Sequence, residues 1–246
     1  MAAVPVLLIV TVLLLMPHGS PSAGEFSRAQ PFSRTNFEQN SGGNVEERYA
    51  IVIDAGSTGS RIHIFKFLVA GGQLELQFDK FDQLKPGLSS YKDDPPKAAE
   101  SLKLLLDLAL ETVPQKLQAS TSIMVGATAG LRLLPDGKAD IILGEVRAYL
   151  KKYPFAHTDE DIKILSGVDE GAFAWLTLNY LLGRLGQAET DTVAAIDMGG
   201  GSVQEAYAVT PEEAKQAPKP DYVTTLKGGG RTYSVYVYRW GKRGGG

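Results

Sequence analysis

The most constraining feature of this sequence is the octapeptide DAGSTGSR at residues 54–61, which stands between two apolar segments. Residues 49–53 before it are a β-branched run typical of a buried strand, and residues 62–67 after it alternate like a second strand. Its two glycines let backbone N–H groups approach a ligand closely, and its three hydroxyls add hydrogen-bond donors. The octapeptide therefore predicts an anion-binding hairpin, and the alternative is a plain polar turn.

The same plan recurs near the other end of the chain. Residues 192–196 are an apolar run, Asp197 and a glycine-rich turn with a hydroxyl follow, and residues 203–209 alternate again. Two such hairpins indicate duplicated lobes that would grip a polyphosphate across a cleft. Asp54 and Asp197 end the first strand of each hairpin, where a carboxylate can hold Ca²⁺ or Mg²⁺ through water.

The composition of the chain limits which ligands such a site could bind. The chain has 246 residues, 43% of them hydrophobic, with a formal net charge of −3 and no cysteine. Nucleic acid is a poor candidate partner, because binding a phosphate backbone needs clustered Lys and Arg. A nucleotide is compatible with this charge, since backbone amides and a metal ion can hold a single polyphosphate.

The start of the chain has the character of a targeting segment. Its first 24 residues carry no charged side chain, and residues 4–16 are almost wholly apolar. This run is shorter than the roughly 20 residues of a membrane-spanning helix, and small residues suited to signal cleavage follow it. We expect residues 1–23 to be a signal peptide or a membrane anchor, which predicts the secretory pathway and an extracellular or Golgi-lumen location, with membrane association in the second case. Residues 24–47 are polar and aperiodic, which predicts a disordered stalk.

Strand and helix patterns alternate between the two hairpins. We predict strands at 74–79, 122–127 and 162–165, helices at 95–113, 138–152 and 170–182, a loop at 211–220, and further strands at 222–226 and 232–238. This order predicts an α/β fold with a mixed sheet, in which ligands bind at strand ends. Residues 48–191 would form the first lobe, and residues 192–246 would begin a second lobe with too few residues to complete its core.

Glu170 is the best-placed residue for acid–base chemistry. It falls in the first turn of a predicted helix directly after a strand, where the helix dipole favours the ionised carboxylate. Such a carboxylate can orient a water for attack on a terminal phosphorus, and the alternative is ordinary stabilisation of the helix. Thr128 would help to hold that water unless its hydroxyl caps a turn. Ser202 can donate to a phosphate oxygen, and Gln204 can bond the water or a metal-bound water.

Two arginines flank these segments. Arg61 begins a strand beside the first glycine-rich loop and is within reach of a phosphate. Arg132 follows the strand that ends near Thr128. We expect the Arg132 guanidinium to hold the loop after this strand by donating to carbonyl groups. Trp175, Leu176, Tyr180 and Leu181 lie at helical spacing and are expected to pack in the core.

Four segments together resemble the conserved regions of the apyrases, the nucleoside triphosphate diphosphohydrolases, and are similar to those of plant apyrases. They are DAGSTGSR at 54–61, ATAGLR at 127–132, EGAFAW and NYLLG within 170–183, and DMGGGSVQ at 197–204. The resemblance implies an actin-like, two-lobed, ribonuclease-H-like fold. It also implies hydrolysis of nucleoside tri- and diphosphates, such as ATP and ADP, to the monophosphate with Ca²⁺ or Mg²⁺.

The resemblance also implies roles for individual residues. Glu170 would be the catalytic base, with Thr128 and Gln204 as its helpers, and Asp54 and Asp197 would hold the metal through water. The expected phosphate-binding residues are Gly56, Ser57, Thr58, Gly59, Ser60 and Arg61 in the first loop, and Gly200, Gly201, Ser202, Val203 and Gln204 in the second.

The sequence departs from the apyrase pattern beyond Val209. Members of that family have a full second lobe and residues that sandwich the base, and the tail at 239–246 differs from their pattern. We therefore expect a C-terminally truncated chain that hydrolyses poorly. The alternatives are an exopolyphosphatase-like phosphohydrolase, which would share both glycine loops and a similarly placed Glu, and a non-catalytic nucleotide-binding product.

Overall fold

Each predicted hairpin opens a separate β-sheet in the computed structural model, which describes residues 45–70, 73–198 and 202–241. The strands are β1 (Glu46–Ala55), β2 (Ser60–Ala70), β3 (Gln73–Leu84), β4 (Ser122–Ala127), β5 (Ile162–Ile164), β6 (Ala195–Met198), β7 (Ser202–Val209), β8 (Val223–Gly228) and β9 (Arg231–Gly241). The helices are α1 (Pro95–Glu100), α2 (Lys103–Thr112), α3 (Gln115–Gln118), α4 (Ala129–Arg132), α5 (Lys138–Leu150), α6 (Gly167–Leu181) and α7 (Pro211–Ala214).

The first sheet is mixed, with the strand order β3-β2-β1-β4-β5. The strands β1, β2 and β3 are antiparallel neighbours, whereas β4 and β5 run parallel to β1. Alternate residues of the hairpin, Ile51 and Ile53 on β1 and Ile62 and Ile64 on β2, are fully buried because they face the helices. They share one hydrophobic cluster with side chains of α2 and α5, namely Leu105, Leu106, Ile142 and Val146. This α/β architecture confirms the fold class expected from the sequence.

The second sheet is antiparallel, with the strand order β6-β7-β9-β8, and helix α6 packs on one of its faces. Trp175 of α6 is fully buried and contacts Tyr233 edge to face, with ring centroids 5.2 Å apart, so its predicted core role is confirmed. The same prediction is wrong for Leu181, the last residue of α6, which is 58% exposed. Gly171 lets the helix lie close to the sheet, because a Cβ there would be 2.5 Å from Val237 Cγ1. Helix α6 thus lies before the second hairpin in the chain but packs on its sheet.

Strand and helix ends differ from the sequence prediction where side chains extend or interrupt a pattern. Strand β1 begins at Glu46, inside the expected stalk, because Glu46 and Glu47 continue the ladder with β2 and Lys66 Nζ donates to Glu47 Oε1 over 2.7 Å. The single helix expected at 95–113 is two helices. At the break, the Leu102 N–H bonds the carbonyl three residues back and the Ser101 hydroxyl donates to the Ala98 carbonyl, which tightens the turn.

Capping residues explain further differences. Helix α6 begins at Gly167, three residues before the expected start, because Ser166 and Asp169 form a reciprocal capping box. A second capping box, between Thr210 and Glu213, starts the short helix α7 inside the expected loop. Strand β3 runs on to Leu84 by pairing with β2 along its length, beyond the predicted end at residue 79. Strand β6 includes Asp197, which therefore lies in the ladder rather than after it.

Two predictions concern segments outside the described residues. The signal peptide or anchor at 1–23 and most of the stalk lie before residue 45, and Gly200 and Gly201 lie in the gap between β6 and β7. Within residues 45–70, 73–198 and 202–241, no helix is long and apolar enough to cross a membrane.

Candidate functional site

The first glycine-rich loop connects β1 to β2 and is organised by an ion pair. Asp54 and Arg61 are direct partners in the β1–β2 ladder, and Arg61 Nη1 donates to Asp54 Oδ2 over 3.1 Å. The guanidinium lies across the loop, since a Cβ at Gly56 would be 2.9 Å from Arg61 Nη1. Ser57 and Thr58 are exposed at the tip, where a ligand would be able to reach them.

Two glycines outside the loop support its backbone. A Cβ at Gly130 of α4 would lie 2.6 Å from Ser57 Cα, and a Cβ at Gly87 would lie 2.4 Å from the Gly56 carbonyl oxygen. Both distances are too short for any side chain larger than hydrogen. The position of Ser57 therefore depends on backbone-to-backbone contact, which the local sequence does not predict.

Glu170, in the first turn of α6, is the centre of the site. Its side chain is 4% exposed, and its Oε2 accepts from Gln204 Nε2 over 2.6 Å and from Ser202 Oγ over 3.4 Å. On the other side, Arg132 Nη1 lies 3.5 Å from Glu170 Oε1. Because Arg132 ends α4 on the first sheet and Gln204 belongs to the second, Glu170 lies where the two sheets meet.

Arg132 has two partners. The same Nη1 that faces Glu170 also donates to the Leu165 carbonyl oxygen, which confirms the predicted contact with a carbonyl group. The ion pair with Glu170 was not predicted, because nothing in the local sequence shows that residues 38 positions apart would meet.

Thr128 and Asp197 are the remaining predicted site residues with polar side chains. Thr128 precedes α4 and is half-buried, but its hydroxyl does not cap the helix. Asp197 pairs directly with Gln204 in the β6–β7 ladder, so their side chains lie on the same face of the sheet. Val203 alternates to the opposite face of β7, so only its backbone faces the site.

Three carboxyl groups influence one another across the junction. Burial raises the pKa of Glu170 above its usual range, the Arg132 charge opposes this increase, and the Asp197 charge adds to it. Burial likewise raises the pKa of Asp54, against the effect of Arg61, and Asp197 again adds to the increase. Asp197 is therefore close to both Asp54 and Glu170, and its own pKa is raised by burial.

Several buried polar atoms of the site have no hydrogen-bond partner in the described part of the chain. They are Asp54 Oδ1, Ser60 Oγ and Gln204 Oε1. An unpartnered buried acceptor costs roughly 1–3 kcal/mol, so such atoms point to a ligand or bound water that completes the site. The free Asp54 Oδ1 fits a cation held through water, whereas no cluster of three or more His, Cys, Asp or Glu forms a direct metal cage among the described residues.

Comparisons with known proteins agree with this arrangement. "Probable apyrase 2" of Oryza sativa subsp. japonica is 43% identical over 96% of this chain and 50% of its own length. The guanosine-diphosphatase of Saccharomyces cerevisiae is 45% identical over 78% of this chain and 38% of its own length. A crystal structure of nucleoside triphosphate hydrolases from Neospora caninum shares the fold, with a TM-score of 0.55 and 17% identity over 86% of this chain and 48% of that one.

The chain spans about half the length of the curated relatives it matches. Residues 41–244 match the GDA1/CD39 (nucleoside phosphatase) family. The matched residues include both glycine-rich loops, the Arg132 segment and Glu170. This chain therefore belongs to the GDA1/CD39 (nucleoside phosphatase) family.

Proposed function

We propose that this chain carries the site of a divalent-cation-dependent phosphohydrolase that converts nucleoside tri- and diphosphates to the monophosphate and phosphate. The observation that carries the proposal is the buried Glu170 carboxylate beside the unpartnered Oε1 of Gln204, at the junction of two glycine-rich hairpins. Relatives named apyrase and guanosine-diphosphatase support the same class of substrate.

In the proposed reaction, a water molecule is held between Glu170 and Gln204 Oε1. Glu170 accepts a proton from the water as its oxygen bonds to the terminal phosphorus. The bond from that phosphorus to the bridging oxygen breaks, and the shorter nucleotide leaves with the electron pair. The Thr128 hydroxyl, which does not cap α4, would donate to or accept from the same water.

Asp54 and Asp197 would hold Ca²⁺ or Mg²⁺ through water, with the exposed Ser57 and Thr58 beside the phosphates. A cation held there would supply positive charge to neutralise the phosphate oxygens. The apolar, charge-free start of the chain supports a further part of the proposal, which is that the protein enters the secretory pathway.

The direct test is phosphate release by the purified 246-residue chain from ATP, ADP, AMP and inorganic tripolyphosphate, each with Ca²⁺, Mg²⁺ or excess EDTA. We expect slow release from ATP and ADP that stops at AMP and disappears with EDTA. Release from tripolyphosphate but not from ATP would contradict the nucleotide specificity in favour of an exopolyphosphatase-like enzyme. Binding of ADP without release would contradict catalysis and leave a nucleotide-binding module.

Replacing Arg132 should shift the acidic limb of the pH–rate profile, which is the pH range in which activity rises as the base ionises. The base must be ionised, so activity rises with pH through the pKa of Glu170, which burial raises. Removing the positive charge in Arg132→Gln takes away the main influence that lowers this pKa, and the limb should move to higher pH. The measurement is kcat/KM for ATP against pH.

Arg147→Gln is the matched control for that profile. Arg147 of α5 donates to the Ile162 carbonyl much as Arg132 donates to the Leu165 carbonyl, but it contacts no carboxylate of the site. Arg147→Gln should lower the free energy of unfolding and leave the acidic limb of the pH–rate profile at the same pH. An equal displacement in both variants would mean that Glu170 is not the titrating base.

A further inference from the structure

A cationic side chain of the second sheet, Arg239, lies next to the site and takes no part in the network around Glu170. It belongs to β9, where it is the direct ladder partner of Gln204, and it is exposed. Within residues 45–70, 73–198 and 202–241, its guanidinium makes no hydrogen bond or ion pair. Nothing in the residue roles assigned above uses this charge.

The ladder places Arg239 in a row of three side chains across the second sheet. Asp197 on β6 pairs with Gln204 on β7, and Gln204 pairs with Arg239 on β9, so all three share one face. Neighbouring strands are about 4.8 Å apart, which puts Asp197 and Arg239 roughly 10 Å apart with the amide between them. At this separation they do not neutralise each other, unlike Asp54 and Arg61 in the first hairpin, which touch.

The direction of the Arg239 side chain is set by the start of helix α6. A Cβ at Gly167 would lie 2.7 Å from Arg239 Cδ and 3.5 Å from Gln204 Nε2. The aliphatic stem of Arg239 therefore lies across Gly167, the first residue of α6, and the charged head extends beyond it. Any larger residue at position 167 would displace this stem.

A cation at this end of a helix is unfavourable unless an anion is also bound there. The first N–H groups of a helix have no partner within it, and the dipole adds positive potential. Ser166 accepts from the N–H groups of Asp169 and Glu170, which leaves those of Gly167 and Val168 for a ligand. The carboxylate of Asp169 accepts from Ser166 and makes no ion pair with Arg239 among the described residues.

Gln204 gives the second, independent indication of a ligand at this point. Its side chain is 1% exposed, its Nε2 is bound to Glu170, and its Oε1 has no partner among the described residues. The free Oε1 calls for a donor such as the attacking water, while the free guanidinium and helix N–H groups beside it offer donors to an oxyanion.

We propose that Arg239 binds the terminal phosphoryl group of the substrate, on the side of Gln204 opposite to Asp197. This inference rests on the proposed function, because it assigns a ligand to that same site. The guanidinium donates to non-bridging phosphate oxygens and transfers no proton. The water proton still passes to Glu170, and the bridging oxygen still leaves with the electron pair. Arg239 balances the negative charge on the transferred group from one flank, while the Asp197 side supplies the cation from the other.

The test compares Arg239→Gln, Arg239→Lys and the control Arg231→Gln in the full chain. Arg231 lies on the same strand and has the same charge, but it pairs with Glu189 at 3.6 Å and lies at the opposite end of β9. The first measurement is binding of imidodiphosphate, a non-hydrolysable phosphate pair, with Mg²⁺ by calorimetry. The second is kcat and KM for ADP.

We expect Arg239→Gln to weaken imidodiphosphate binding by about tenfold, as the loss of a charge-assisted hydrogen bond predicts. Arg239→Lys should be intermediate, because it keeps the charge but loses the two-pronged donor geometry. Arg231→Gln should bind within about twofold of the parent, since it removes a charge of equal size away from the site.

The outcomes separate this inference from the proposed function. Hydrolysis of ADP that is unchanged by Arg239→Gln, with unchanged imidodiphosphate affinity, would overturn the role of Arg239 and leave the phosphohydrolase intact. Weaker imidodiphosphate binding in a chain that releases no phosphate would support Arg239 and overturn catalysis. Equal weakening by Arg231→Gln would show that only net charge matters and would overturn the inference.

Discussion

Glu170→Gln is expected to reduce phosphate release from ATP by about 10²–10⁴-fold, the usual contribution of a positioned general base. The substitution keeps the shape of the side chain and removes its ability to accept a proton. Binding of ADP should change much less than turnover, because the amide keeps the volume of the side chain beside Gln204, Ser202 and Arg132. The measurement is kcat for ATP and ADP beside the affinity for ADP.

The same variant should fold at least as stably as the parent at neutral pH. Burial raises the pKa of Glu170 in the folded chain above its unfolded value, so ionising it costs folding free energy once the pH exceeds the unfolded pKa. The penalty is complete above the folded pKa, and a neutral Gln removes it. Urea unfolding at neutral pH would check this, and a large loss of stability would mean that the ion pair with Arg132 outweighs the cost of burial.

Asp169→Asn is the matched control for Glu170→Gln. Asp169 is the preceding residue in the same turn of α6, and its carboxylate caps Ser166. Removing this charge should cost about 1 kcal/mol of stability, as lost helix caps do, and leave turnover within a few-fold of the parent. A loss of turnover as large as that of Glu170→Gln would contradict a specific role for Glu170 as the base.

Gly130→Ala is expected to lower kcat/KM by about 10²-fold, because an added methyl group would displace the first phosphate loop. The new Cβ would lie 2.6 Å from Ser57 Cα and 3.1 Å from Ser57 N, which are backbone atoms without a rotamer to change. Relieving this overlap moves Ser57 by on the order of 1 Å, and displacements of this size cost about 10²-fold in well-oriented sites.

Gly144→Ala is the control for Gly130→Ala. It tests whether a lower kcat/KM comes from the overlap with Ser57 or from replacing any helical glycine by alanine. Gly144 lies in α5, and a Cβ there would meet nothing within 4 Å. Alanine should stabilise this helix by about 1 kcal/mol and leave turnover unchanged. If Gly130→Ala keeps full activity, the phosphate loop does not depend on the support of α4, and the site geometry is more adaptable than we infer.

Both hairpins and the fold class can be predicted from the sequence, because they depend on local patterns. Apolar runs on either side of the segments that begin at Asp54 and Asp197 predict paired strands, and the structure confirms them. The break at Ser101 could not be predicted, since the apolar spacing continues through it and only the Ser101 hydroxyl bond reveals the tighter turn. The capping pair Ser166 and Asp169 is recognisable in the sequence, and it predicts that α6 starts at Gly167.

Candidate residues of the site were identified by type and position, but their contacts were not. Glu170 and Gln204 are 34 positions apart, and the hydrogen bond between them depends on α6 packing on the second sheet. The same holds for Gly130 under Ser57 and for Arg239 over Gly167, which meet only through the fold. Sequence spacing predicts which residues share a strand end, whereas it does not predict which backbone atoms approach within van der Waals distance.

The packing of α6 has a mechanical consequence. The helix carries Glu170 and packs on the second sheet, which carries Gln204, whereas Arg132 reaches Glu170 from α4 beside the first sheet. We expect a hinge opening between the sheets to lengthen the 3.5 Å contact with Arg132 while preserving the 2.6 Å contact with Gln204. Withdrawal of Arg132 would raise the pKa of Glu170 further and favour its protonated form. The ionisation of Glu170 would thus depend on how closely the two sheets approach each other at Arg132.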